Sequence, residues 1–433
     1  MPTPEQEAVE RAELEALVAI AVPKLAQLSD VLNDFYLERE ATIKTMINSL
    51  VSRQHNLQLG PPGTGKSALV RSVVKSITDV FFPAPVSPDA RALPMPQHMR
   101  GRYFEKLVGK AFPVDEILGP MSIKGFEEED YRRVLEYFLP GSTFAFLDEI
   151  YKAGPVLISP TLSIMNERVY TNGSTIVRCP LRVCFAGSNE LYEGEGLDAF
   201  DARFFLRSYV DYIAEKQNFF RFIRSVRASD EPETEKIDLK LGEIDAVHDY
   251  ARNYVEWSDD ATEMLFAIRE SFRKNGLLFD DRRSAWIAKE LVPAETVLRG
   301  GDRVEAEDFD ILAHALWRQP KDRDVVQELV YKVSNPVREE VNRYLDDAKK
   351  AINACDELIR NAGNDKRVRR DAGIDCDVTL TAILEKVERR TDQTGGNTRK
   401  QFHAAFEKIE QQHEALLLDV LRIGRSKRLE VLA

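Results

Sequence analysis

Apolar residues recur along this chain with two different periods, and the changes between them mark out its parts. Over 31–52 they fall at Ile43, Met46, Ile47, Leu50 and Val51, the spacing of a helix with one buried face; 5–28 predicts a weaker helix before it. HNLQL at 55–59 is a short strand that breaks into GPPGTGKS, after which Leu69, Val70, Val73, Val74 and Ile77 restore the helical period. Two further runs, TFAFLDE at 143–149 and LRVCFAGSNE at 181–190, are continuously apolar and end at polar residues, as suits central strands covered on both faces. Between them VLISPTLSIMNE predicts a helix, and RVYTNGSTIVRCP a hairpin turning at Asn172-Gly173. Pro83, Pro85, Pro88, Pro94 and Pro96 leave 79–100 as loop.

Beyond about residue 212 strand signals fade, and 214–228, 243–255, 259–275, 281–298 and 306–317 predict a helical subdomain. In the last stretch, Val341, Leu345, Ala348, Ile352, Cys355 and Ile359 form one heptad seam. Phe402, Phe406, Ile409, His413, Leu416, Val420 and Ile423 form another. Two long helices joined through a shorter one near 378–390 would make a coiled-coil-like hairpin or small bundle. Linkers are expected at Arg318–Asp324, Asn361–Asp375 and Thr391–Thr398.

The fold class that follows is α/β: a parallel sheet sandwiched by helices, an all-α subdomain, and a helical C-terminal region. The expected division is an N-terminal helical extension at 1–30, a core at 31–222, a helical lid at 223–320 and a C-terminal domain at 321–433.

Charge narrows the function classes. The 433 residues carry a net charge of -12, with the acid excess in the first 330 and a nearly neutral tail, which argues against a protein that mainly grips nucleic-acid backbone. No window approaches the ~18 apolar residues of a membrane span, and the first residues lack a basic, then apolar, leader pattern, so a soluble cytoplasmic protein is expected. Four scattered cysteines predict no disulfide framework, and the six histidines show no metal spacing.

Candidate chemistry begins at Gly60-Pro61-Pro62-Gly63-Thr64-Gly65-Lys66-Ser67-Ala68, which has the phosphate-loop pattern between a strand and a helix. Its glycines let backbone N–H groups turn toward phosphate oxygens, Lys66 would reach the β- and γ-phosphates of ATP, and Ser67 would ligate Mg²⁺. At the end of an apolar strand, Asp148 can hold the same Mg²⁺ and Glu149 can polarise the attacking water. Asn189, closing a neighbouring strand, could hold that water or sense the γ-phosphate. Residues 198–207 mix apolar residues with Arg203 and Arg207 on one expected helix. Arg203 is the favoured arginine finger for a neighbour's nucleotide, and Arg207 the fallback. Arg282, favoured over Arg283, opens a lid helix and would reach the phosphates of its own subunit.

Taken together, Tyr36-Leu37-Glu38-Arg39 in the first core helix, LGPPGTGKS at 59–67, DEILGPMSI at 115–123, YFLPGSTFAFLDEIYKAGP at 137–155, LSIMNERVYTNG at 162–173 and GSNEL at 187–191 resemble the MoxR branch of the AAA+ ATPases, most closely the RavA-like members. The likeness covers about residues 30–320. It implies a phosphate-loop NTPase fold with a hairpin inserted into the second core helix at 118–141. It implies Walker roles for Lys66, Ser67, Asp148 and Glu149, sensor roles for Asn189 and Arg282, and a finger at Arg203. It also implies hexameric rings acting with von Willebrand factor A domain partners. The chain departs from the family in placing Ala202 before the finger arginine, with Asp201 one position earlier, and in a tail that reads as helix throughout.

The leading expectation is a ring ATPase that remodels or activates a client protein complex in a chaperone-like way. Two alternatives are a nucleic-acid motor or loader, to which the basic run Lys366–Arg370 could contribute, and a nucleotide-switched binding module with little turnover.

Overall fold

The computed structural model describes residues 4–82, 99–109, 113–127, 130–153, 155–190, 198–228, 231–363, 365–393 and 396–416. They fall into two compact units divided between Val330 and Tyr331.

The first unit is built on a six-stranded parallel sheet. Its strands are β1 (His55–Leu59), β2 (Val80–Phe81), β3 (Gly101–Leu107), β4 (Phe144–Asp148), β7 (Val183–Ser188) and β8 (Phe204–Tyr209), while β5 (Val169–Asn172) and β6 (Thr175–Arg178) form a separate antiparallel hairpin. The order across the sheet is β2-β3-β4-β7-β1-β8. β1 is buried along its whole length although its sequence alternates polar and apolar. The covering helix Glu40–Ser52 takes the donors of these polar side chains: the Asn56 amide donates to Thr45 Oγ1 at 3.1 Å and Ser49 Oγ at 3.2 Å, and that of Gln58 to Met46 Sδ at 3.4 Å. Met46 and Leu50 from that helix meet Val73 and Phe185 in one apolar core, each large side chain contributing about 1.5–3 kcal/mol by leaving water.

Several sequence expectations change. The N-terminal helix runs unbroken from Pro4 to Phe35 with Pro23 inside it. Leu25, Leu28 and Leu32 are buried in the main core, so its second half is part of the unit, not an extension. Tyr36–Arg39 form the turn before the next helix, not part of it. β3 adds a strand where none was expected, and the hydrophobic stretch at 204–209 is the edge strand β8 where a helix was expected. Residues 118–141 lie between β3 and β4; a single antiparallel bridge, Met121 with Arg133, stands for the inserted hairpin, flanked by the short helices Asp115–Leu118 and Ile123–Glu127.

The helical subdomain follows as expected, with helices Leu241–Tyr254, Asp259–Lys274, Asp281–Trp286 and Val292–Leu298, the last two joined by a π-helical turn over 287–291. The second unit is a three-helix bundle of Pro336–Asn361, Lys366–Gln393 and Gly396–Leu416. Its middle helix is the longest, not a short connector, and takes in most of the expected 361–375 linker. Val341, Ala348 and Cys355 pack against Phe402 and Ile409 as the seams predict. His413 is fully buried with Nε2 2.5 Å from Asp377 Oδ1; Val420 and Ile423 lie outside the described residues.

Candidate nucleotide site

In a parallel sheet all strands deliver their following loops to one edge, and the order β4-β7-β1 sets three such loops side by side. β1 ends in Gly60, whose φ of 147° and 2.0 Å approach of an added Cβ to the Val210 carbonyl oxygen admit only glycine; its N–H donates to Ser188 O. Gly63 and Gly65 also take positive φ, with open space where a Cβ would stand, and Gly65 leads into the helix Lys66–Lys75. This is a backbone cradle at a helix N-terminus.

Lys66 is buried, and its ammonium donates to Gly60 O at 2.8 Å, Pro61 O at 2.9 Å and Asn189 Oδ1 at 2.8 Å. Burial lowers its pKa, while Asp148 and Glu149 pull the other way. From β7, the Asn189 amide donates in turn to Glu149 Oε1. Glu149, at the end of β4, sits in the left-handed region at φ 55°, ψ 39°, and its buried Oε2 has no hydrogen-bond partner among the described residues. Lys152 Nζ lies 3.3 Å from that oxygen. Asp148 accepts the Glu149 N–H at 3.0 Å, and burial pushes its pKa up. Gly187 is required beside it, since a Cβ there would stand 2.6 Å from Asp148 Oδ1.

Two contributors escaped the motif reading. Glu38 accepts from the N–H groups of Ala214 and Glu215 and from Asn218. Burial opposes its charge, but these donors outweigh it and hold its pKa below the ordinary value. Arg39 donates to Asp211 O at 2.5 Å, and the Tyr212 hydroxyl donates to Pro62 O at 3.2 Å. The Tyr36–Arg39 turn thus pins the segment after β8 against the phosphate loop. Lys152 was the other omission; a lysine three residues after Glu149 was its only trace in the sequence.

Arg203 and Arg282 lie elsewhere. Arg203 precedes β8, and the register pairs Phe204 with His55, the first residue of β1, whereas the phosphate loop follows the last. A five-residue strand spans about 17 Å, so Arg203 stands at the opposite edge of the sheet. Arg282 donates to Asn166 Oδ1 at 3.2 Å and shares with Arg203 a cavity of about 390 Å³. The expectation that Arg282 reaches its own subunit's phosphates is therefore corrected: it belongs to the arginine edge. Arg207, the fallback finger, is fully buried on β8, with Nη2 2.8 Å from Asp201 Oδ2 and Nη1 3.1 Å from Arg318 O. Arg283 is likewise closed in, donating to Ala315 O beneath the Phe205 ring.

A profile described as "MoxR domain in the MoxR-vWA-beta-propeller ternary systems" matches residues 23–83 and 90–249, and an AAA lid domain profile matches 260–330. The chain belongs to the MoxR family of AAA+ ATPases. Two uncharacterized proteins of Methanocaldococcus jannaschii are similar to this MoxR chain: one is 31% identical over 79% of this chain and 80% of its own, the other 32% identical over 72% and 76%. The crystal structure of a candidate ATPase from Cytophaga hutchinsonii shares the fold, with a TM-score of 0.55, 16% identity, and coverage of 74% of this chain and 98% of that one. No helix among the described residues is long and apolar enough to cross a membrane.

Proposed function

We propose that this MoxR chain hydrolyses ATP at the junctions of a ring of its own copies, one copy offering the phosphate loop and the next offering Arg203 and Arg282. The observation that carries this reading is the separation of the two halves across the sheet: Lys66, Asn189 and Glu149 are joined by hydrogen bonds at one edge, while Arg203 and Arg282 share a cavity at the other. A second copy is the source of arginines that this arrangement admits.

The residues present fit ATP and Mg²⁺. The open glycine cradle suits phosphates, the ammonium of Lys66 is now occupied by loop carbonyls that phosphate oxygens would replace, and Glu149 Oε2, without a hydrogen bond among the described residues, is an acceptor for a water proton. Ser67 and Asp148 would hold Mg²⁺, which supplies positive charge to the phosphates. Glu149 would take the proton of the attacking water, and Asn189 would orient that carboxylate.

Hydrolysis would drive remodelling or activation of a client protein complex. A von Willebrand factor A domain partner, with a β-propeller protein beside it, is supported by the description of the matching profile. Phosphate release measured against protein concentration tests the shared site: turnover per chain should rise steeply as copies associate. Equal turnover in dilute monomers would remove it.

A further inference from the structure

The cavity behind Arg203 has a composition that the neighbour's nucleotide does not account for. Arg53, Arg168, Arg203, Arg252, Arg282 and Arg283 line it, against only Asp280 and Glu290 as carboxylates, in a chain whose net charge is negative. Arg252 is neutralised by Glu290 at 2.7 Å, and Arg53 by Asp245 at 2.7 Å. Arg283 has Asp280 only at the longer distance of 3.8 Å, and Arg168, Arg203 and Arg282 have no carboxylate partner among the described residues. Arg168 donates to the carbonyls of Arg53 and Arg182, and its Nη1 lies 2.9 Å from His55 Nε2, the ring nitrogen that faces Met165 O. Arg282 donates to the Asn166 amide oxygen at 3.2 Å. Among the described residues Arg203 Nε and Arg283 Nη2 are buried with no hydrogen-bond partner, and Arg283 is 4% exposed.

We propose that this cavity is a binding site for a phosphate group, separate from the phosphate loop, held by the forked donors of Arg168, Arg203 and Arg283. Guanidinium groups converging on one space match the oxygens of a phosphate in geometry as well as charge. Withdrawing such charges from water without a counter-charge is costly, and a bound anion would relieve that cost. Burial already lowers the pKa of Arg168 and Arg283 to about 10, the direction expected where compensating negative charge is lacking. The space exceeds one phosphate, so the group could arrive free or as part of a nucleotide. If the junction is arranged as proposed above, Arg203 faces the phosphate being cleaved, and the cavity behind it would receive that product. The binding site itself does not depend on that reading, because one chain contains all of it.

Trp286 lines the cavity and provides a reporter. The full chain, with Mg²⁺ and saturating ADP to fill the phosphate loop, should be titrated with inorganic phosphate by calorimetry and by tryptophan emission. One phosphate per chain should bind, with weakening as salt rises. Arg203→Gln and Arg168→Lys should each lower the affinity about tenfold or more while melting temperatures confirm folding. A second ADP per chain, lost in both variants, would support the same site with a nucleotide as the source. No saturable binding of either ligand would overturn the proposal, as would phosphate binding that ADP abolishes and the arginine variants leave intact. Concentration-independent turnover with cavity binding retained would defeat the shared ATPase site alone.

Discussion

The side-chain amide of Asn189 donates to the Glu149 carboxylate while its oxygen accepts from Lys66 at 2.8 Å, so the residue just past β7 touches both the phosphate-loop lysine and the candidate base. Removing the amide leaves Lys66 on its loop carbonyls and takes the amide donor from Glu149. Asn189→Ala should lower kcat about 100-fold, as expected when a reacting group loses its orientation, with ATP affinity changed less than about threefold. Phosphate release and fluorescent-nucleotide titration check the two values. An unchanged kcat would show that the amide has no part in hydrolysis.

Glu149→Gln keeps the shape of the side chain and its bond to Asn189 but not its basicity. Hydrolysis should fall by about 10²–10⁴-fold while ATP still binds. Full turnover in the variant would take the base role from Glu149.

Arg203 and Arg207 should part company when each is replaced by alanine. Arg207 is fully buried with Asp201, so its loss should cost about 3–5 kcal/mol of stability, seen in urea unfolding. Arg203→Ala should change stability by no more than about 0.5 kcal/mol yet reduce turnover about 10³-fold. Mixing it with Glu149→Gln chains should restore activity, because some junctions would then pair an intact base with an intact arginine. Co-assembled mixtures that stay inactive would refute the finger.

At Gly187 the nearest threat to an added methyl is Asp148 Oδ1, 2.6 Å away. Gly187→Ala should push the carboxylate out of place and raise the Mg²⁺ concentration for half-maximal hydrolysis about tenfold. A Mg²⁺ titration identical to wild type would mean that Asp148 does not hold the metal.

Stability of the first unit should fall as the solution is acidified from pH 7.5 to 5. Burial pushes the pKa of His248 down to about 4, and that of the fully enclosed His55 well below its ordinary 6.5. Between these values and 6.5 the unfolded chain binds protons that the folded one refuses, so the stability present above pH 6.5 is lost on acidification, on the order of 2 kcal/mol by pH 5 for His248 alone. Glu290, which burial raises, works with the opposite sign and moderates the slope. Urea midpoints for wild type and His248→Gln test this: the variant should show the flatter pH profile, and parallel profiles would contradict it.

How far the sequence disclosed this depended on whether the needed information was local. The phosphate loop and the ends of β4 and β7 were legible because glycine spacing and an apolar run ending in acids act within a few residues. β8 was not: its paired phenylalanines follow a true helical turn at Asp198–Asp201, and only pairing with β1 makes that stretch extended. The middle helix of the bundle hid behind the charged residues after Asn361, which read as a linker until packing gave Ala372 and Cys376 a buried face. Arg282 was expected near the phosphate loop but lies beside Asn166 and Arg203, because the edge of a sheet to which a lid residue returns is a tertiary matter, with no trace in spacing.

One strand gives the arrangement a mechanical consequence. β8 starts at the residue after Arg203 and finishes with Val210 pressed against Gly60 so closely that no side chain fits between them. Paired with β1 on both sides of one register shift between His55 and Asn56, it links the two rims as a short push-rod. In an assembly of the proposed kind, a tug on one molecule's arginine rim would arrive at its own catalytic rim with little slack, and events in successive compartments would be geared to one another by covalent backbone.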